Sequence, residues 1–181
     1  LPVHLVRWSG GSWQEMSVGL EDEKLAWTMS PCSDGLLSDH LTKLPVDLPE
    51  GYTTEVCLNI FPLIEELTAT FEDAVVLLVD YGFERSEYYH PDRCEGTLQT
   101  YARHQVGKDP LEAPGECDLS THLDFTHVGE AAQAAGLTSL GSARQESYLV
   151  HLASGLLQNL SSPETDREFL GQFQTLTHPS F

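Results

Sequence analysis

Basic residues are scarce in this chain: 9 Lys and Arg stand against 28 Asp and Glu, a formal net charge of -19 over 181 residues. Binding to phosphate backbones needs clustered Lys and Arg, so the balance argues against nucleic acid and anionic membrane as partners. It suits a basic partner, such as an arginine-bearing segment of another protein, and it also serves solubility alone. No stretch is long and apolar enough to span a bilayer, and no signal-peptide pattern opens the chain. No G-x-G occurs: the only adjacent glycines, Gly10-Gly11, lie between Trp8 and Trp13 and read as a hairpin turn. No C-x-x-C occurs either. Cys32, Cys57, Cys94 and Cys117 are widely spaced, so neither a structural zinc site nor a disulfide framework is expected. Free thiols of a cytosolic protein are the expectation.

What is present begins with Val75-Val76-Leu77-Leu78-Val79, closing on Asp80-Tyr81-Gly82. Five consecutive apolar residues predict a strand covered on both faces, as in the middle of an α/β sheet. An acidic residue at the carboxyl end of such a strand sits where open α/β sheets bind ligands. Upstream, Val3 to Met29 reads as an antiparallel meander of three strands, turning at Gly10-Gly11 and at Glu21-Asp22-Glu23. Trp8, Trp13 and Trp27 are its candidate cross-strand partners. Asp34 to Leu44 predicts a short helix. Thr54 to Phe71 has helical spacing through Val56, Ile60, Leu63, Leu67 and Phe71, with a kink at Pro62 or a start near Phe61.

Further along, Glu84 to Glu95 reads as a loop, Thr97 to His104 as a strand, and Val106 to Gly115 as a second loop. Asp124 is a good N-cap for a helix buried through Val128, Ala132 and Ala135 and closed by Gly136. Thr138 to Arg144 reads as a strand. Glu146 to Leu160 is amphipathic through Leu149, Leu152, Leu156 and Leu160. Ser161-Ser162-Pro163 starts another helix, and Phe173 to Thr177 reads as a last strand.

After the apolar run come Tyr88-Tyr89-His90-Pro91, Gly96-Thr97-Leu98, Tyr101, His104 and Asp118-Leu119-Ser120-Thr121-His122-Leu123-Asp124-Phe125. That order resembles the MidA-like family of class I S-adenosylmethionine-dependent methyltransferases, whose mitochondrial branch comprises complex I assembly factors and protein-arginine methyltransferases. The likeness runs from Leu1-Pro2-Val3-His4 through Trp13-Gln14-Glu15, Gly51-Tyr52 and Thr54-Glu55-Val56 to Phe173-Gln174-Thr175-Leu176. Cys57-Leu58 and Gln174-Thr175 depart from the family pattern. The family's glycine-rich turn and ribose-binding acidic residue have no counterpart here. The resemblance therefore implies the carboxyl-terminal part of a Rossmann-like α/β methyltransferase. Residues 1–50 would be a β-meander insertion and linker, and residues 51–181 the later part of the sheet.

The implied function is methyl transfer to a protein side chain such as arginine by the full-length parent, with this chain alone inactive. S-adenosylmethionine would be bound mainly by an absent amino-terminal half. Pairing with that half, or with a second copy, would cover the sheet edges. The rival reading is a non-catalytic acidic module that binds or assembles a partner protein. The implied compartment is the bacterial cytoplasm, or the mitochondrion in a eukaryote.

Holding a guanidinium needs carboxylates placed for paired hydrogen bonds, and methylating it needs somewhere for a proton to go. Asp80, His122 and Asp118 are the catalytic candidates; Glu55, Tyr81, Tyr89, His104 and Asp124 are the substrate-binding candidates. Asp80, Tyr81, Tyr89, His104, Asp118, His122 and Asp124 are expected to converge on one concavity at the carboxyl edge of the sheet. Asp124 reads equally as a helix cap, Asp118 as a turn residue bonding its own backbone, and the tyrosines as core with satisfied hydroxyls. His90, Cys94, His104 and Cys117 match no ligand spacing, and no metal is expected.

Overall fold

The computed structural model describes residues 1–44, 47–102, 105–158 and 165–178. They divide into two compact units, Leu1–Thr138 and Ser139–Phe181. The first unit opens with the antiparallel meander: β1 (His4–Ser9), β2 (Ser12–Glu21) and β3 (Lys24–Pro31). Gly10 and Gly11 take φ values of 59° and 78°, which two-residue hairpin turns of this kind require and side chains resist. Register sets Trp8 opposite Trp13 and Trp27 opposite Val18, so only the first two tryptophans are partners. Their rings meet edge to face at 5.4 Å.

Asp34 caps α1 (Gly35–Leu41) by accepting from the amides of Leu36 and Leu37. The helical spacing read from Thr54 onward is divided. Thr53–Val56 forms β4, antiparallel to β1, and completes a four-stranded sheet in the order β3-β2-β1-β4. Pairing with β1 outweighs the local apolar spacing, and all four β4 residues are buried. The helix α2 (Ile60–Thr70) then starts close to Phe61, with Pro62 in its first turn, where a missing N–H costs nothing.

The largest correction concerns Val75–Val79. It is not an interior strand: the segment carries no regular secondary structure, and its five side chains are between 40% and 79% exposed. The physical reason is the absence of ladder partners. No strand among the described residues pairs with it, and a lone strand leaves its amides and carbonyls to water.

Beyond it lie the two-residue β5 (Gly82–Phe83), the one-turn α3 (Arg85–Tyr88) inside the expected loop, β6 (Gln99–Ala102), β7 (Gln105–Gly107), β8 (Asp118–Ser120), β9 (Leu123–Asp124) and α4 (Phe125–Ala134). β5 and β9 pair in parallel, while β7-β6-β8 is a small antiparallel sheet. The fold is thus α/β with mixed sheets. Its core has two parts. Val6, Leu37, Leu41, Leu44, Val56, Tyr88 and Tyr89 pack between the meander sheet, α1 and α3. Ile60 and Ile64 of α2 pack on Val128 and Ala131 of α4.

The second unit holds α5 (Gln145–Gln158) and α6 (Thr165–Leu176). Thr138 to Arg144 is not a strand but irregular chain. Phe173 to Thr177 is not a strand either: α6 runs through Leu176, because Phe169, Phe173 and Leu176 repeat at helical spacing. The Phe169 and Phe173 rings stack at 5.7 Å. Leu160 and the start expected at Ser161-Ser162-Pro163 lie outside the described residues, as does His104.

Candidate functional site

His122 lies one residue before β9. Its imidazole is half-buried, stacked against Tyr81 at 6.3 Å and tilted on Phe83 at 5.2 Å. Burial lowers its proton affinity, the nearby Arg93 lowers it further, and Asp80 raises it in part. Burial thus favours the neutral imidazole, and its buried Nδ1 has no hydrogen-bond partner among the described residues. Asp80 and Tyr81 are exposed, with the Asp80 carboxylate accepting from the Tyr81 amide at 2.8 Å. The parallel pairing of β5 with β9 explains the grouping, since the Leu123 amide donates to the Tyr81 carbonyl and sets residue 122 beside residue 81. Arg93 completes the group, its guanidinium 4.0 Å above the Phe83 ring.

Of the remaining described candidates, Glu55, Tyr89 and Asp124 line a small void behind His122, and Asp118 lies apart from it. Glu55, on β4, is 1% exposed and points inward. It accepts from the Thr97 amide at 2.9 and 3.0 Å, the Leu98 amide at 2.9 Å, the Thr97 hydroxyl at 3.0 Å and the Tyr88 hydroxyl at 3.3 Å. Burial pushes its pKa up, against the pull of those donors. Tyr89 is 1% exposed and bonds His40 Nε2 at 3.2 Å. Asp124 caps α4 through the amides of Thr126 and His127 and accepts from Arg85 Nε at 3.2 Å. Asp118 is exposed on β8, paired with Tyr101 across the ladder. The structure brings Asp80, Tyr81 and His122 together.

Several residues around this group went unremarked in the sequence. Arg85 forks onto Glu130 at 2.6 and 2.7 Å, which drops the Glu130 pKa to about 2. His40 and His127 meet edge to face at 4.6 Å; burial holds His40 down to about 4 and lowers His127. Among the described residues neither ring nitrogen of His127 finds a hydrogen-bond partner, although Nδ1 lies 3.6 Å from Glu130. His40, Glu55, Tyr88, Tyr89, His122 and His127 surround a void of about 20 Å³, enough for roughly one water. A larger cleft of about 290 Å³ lies beside Trp8, Trp13 and α1. Its lining carries no titratable side chain, so it offers no acid–base chemistry. One signal for the missed residues was legible: Gly96-Thr97 is a turn glycine before a hydroxyl, and Gly96 takes φ 73° against the Glu55 carboxylate.

A cradle for S-adenosylmethionine needs a glycine-rich turn between a strand and a helix N-terminus. Among the described residues, no strand leads through a glycine-rich turn into a helix, and the positive-φ glycines 10, 11, 51, 96, 115, 136 and 141 lie in other settings. These residues by themselves do not fit that group.

Residues 1–143 match the model of a family described as "Putative S-adenosyl-L-methionine-dependent methyltransferase". Over 99% of its length the chain is 26% identical to the mouse (Mus musculus) protein named protein arginine methyltransferase NDUFAF7, mitochondrial, and 25% identical to the Homo sapiens one. Each alignment covers 40% of that relative. A solved Burkholderia thailandensis protein, titled a likely methyl transferase bound to S-adenosyl-homocysteine, superposes with a TM-score of 0.88 at 28% identity. That alignment covers 99% of this chain and 47% of the other. The chain thus spans under half the length of these relatives, and it belongs to this family of S-adenosyl-L-methionine-dependent methyltransferases.

Proposed function

We propose that this chain forms the acceptor side of a protein methyltransferase, and that the acceptor is an arginine guanidinium. The observation that carries the reading is the half-buried His122 imidazole between Tyr81 and Phe83, beside the exposed Asp80, with burial lowering its proton affinity. Methylating a guanidinium nitrogen replaces an N–H by an N–CH3 and releases one proton. Asp80 accepts hydrogen bonds from the guanidinium and orients it. Tyr81 offers its ring face to the cation. His122 takes the released proton, which requires a neutral imidazole at working pH. Asp118 adds negative charge from the β8 edge and helps draw a basic segment in. The relatives are named arginine methyltransferases, and the -19 charge of this chain favours a cationic protein partner.

On this reading the meander and linker, residues 1–50, are an insertion in a Rossmann-like domain continued by residues 51–181. The cofactor is held mainly by residues outside this chain, and the chain alone does not turn over. The relatives' mitochondrial names point to that compartment in a eukaryote. Among the described residues, no helix is long and apolar enough to cross a membrane. The test is a methyl-transfer assay in the full-length parent, with an arginine-bearing protein acceptor and S-adenosylmethionine. Asp80→Asn and His122→Ala should each lower kcat by about 100-fold or more without unfolding. Full activity in both variants would remove the catalytic assignment and favour the assembly-module reading.

A further inference from the structure

The His122 main chain is gripped at both polar groups by hydroxyls that share one buried carboxylate. The His122 amide donates to Thr97 Oγ1 at 3.0 Å, and the His122 carbonyl accepts from the Tyr88 hydroxyl at 3.3 Å. Thr97 Oγ1 in turn donates to Glu55 Oε2 at 3.0 Å, and the Tyr88 hydroxyl lies 3.3 Å from both Glu55 Oε2 and the His122 carbonyl, its single hydrogen shared between them. A hydroxyl has one hydrogen to give. With that of Thr97 committed to Glu55, its lone pairs are turned toward the His122 amide. The carboxylate thus sets the polarity of the clamp as well as its position.

We propose that Glu55 is a positioning residue: through Thr97 and Tyr88 it fixes residue 122 and so holds the imidazole between Tyr81 and Phe83. Its surroundings suit this role and no direct one. Glu55 is 1% exposed, and five donor contacts already occupy its two oxygens, leaving no path for a substrate cation. The sequence expectation of a substrate-binding Glu55 is replaced by an indirect role. Two of the donors are backbone amides, which only an acceptor can satisfy. A glutamine at 55 could keep its carbonyl oxygen on these amides, but its NH2 would then face the two hydroxyls that now meet Oε2 and would reverse the polarity of the clamp. Loop 96–98, which carries Thr97, is shaped around that carboxylate, since Gly96 leaves no room for a side chain against it.

The catalytic consequence rests on the acceptor-side reading; the clamp itself does not, and the two are tested separately. In the 181-residue chain, amide hydrogen exchange at His122 and an NMR titration of its imidazole are measured for Thr97→Val, Thr97→Ser and Tyr88→Phe. Thr97→Val should speed His122 amide exchange by about tenfold, as expected for the loss of one buried hydrogen bond. It should also return the imidazole titration toward its ordinary value as the ring gains solvent. Thr97→Ser should restore both. Tyr88→Phe, which removes only an oxygen, should shift both in the same direction by less, and it serves if Thr97→Val does not fold. Unchanged exchange and titration in whichever of Thr97→Val and Tyr88→Phe folds would overturn the proposal. A full-length His122→Ala enzyme that keeps its activity would instead sink the catalytic reading and leave the clamp standing.

Discussion

A methyl group added at residue 96 would land on the Glu55 carboxylate, in a backbone conformation with φ 73° that side chains rarely adopt. Both penalties fall on the same loop. Gly96→Ala should therefore cost on the order of 2–4 kcal/mol, combining left-handed strain with overpacking. Urea denaturation of the 181-residue chain would measure it; a cost under about 0.5 kcal/mol would mean that the loop moves freely away from Glu55. Site legibility also divides at this scale. Asp80, Tyr81 and His122 do lie together, but the strand end that marks Asp80 in the sequence is irregular chain, and His122 stands out there only through the family resemblance. The roles of Glu55, Tyr88 and Thr97 were not legible, because sequence spacing says nothing of which way a strand residue faces. The helix-cap alternative for Asp124 is what the structure displays.

Elements were readable where local rules and tertiary pairing agree. The meander, α1 and α4 follow from turn glycines, alternation and N-caps at Asp34 and Asp124. They failed where an element depends on neighbours. Thr53–Val56 is a strand only because β1 lies beside it, and Val75–Val79 is none because no strand among the described residues pairs with it. The Phe173–Thr177 expectation leaned on family likeness, while its own spacing was helical. This yields a prediction on Leu77, which is 65% exposed. A buried leucine truncated to alanine loses about 2–5 kcal/mol. Leu77→Ala in this chain should lose less than about 1 kcal/mol by urea denaturation, since the side chain already meets water. A loss in the buried range would mean that the run is covered in solution.

At the scale of the whole molecule, acid acts on stability in two opposed ways. The -19 charge repels itself, and protonating exposed carboxylates relieves that repulsion as pH falls. The buried histidines act the other way. His40, among Tyr89, His127, Arg85, Lys43 and Glu130, titrates near 4 in the fold against 6.5 when free. Between those values the unfolded chain binds the extra proton, so stability falls as pH drops from about 6.5 toward 4. The loss from His40 is on the order of 2–3 kcal/mol, and His127, also lowered, adds to it. Arg85–Glu130 does not enter this window: its contribution is complete above the ordinary 4.5 and is lost only toward about 2. Salt separates the two effects, because it screens exposed charges and leaves burial untouched. In high salt the histidines should pull Tm down from pH 7 to 4.5, offset in part by buried Glu55, whose raised pKa adds stability as pH falls. His40→Gln, which keeps a polar group beside Tyr89 without a titration, should flatten that slope. An unchanged slope in His40→Gln would mean that His40 takes up its proton in the fold as readily as in water, and that the α1–α4 contact opens to let it.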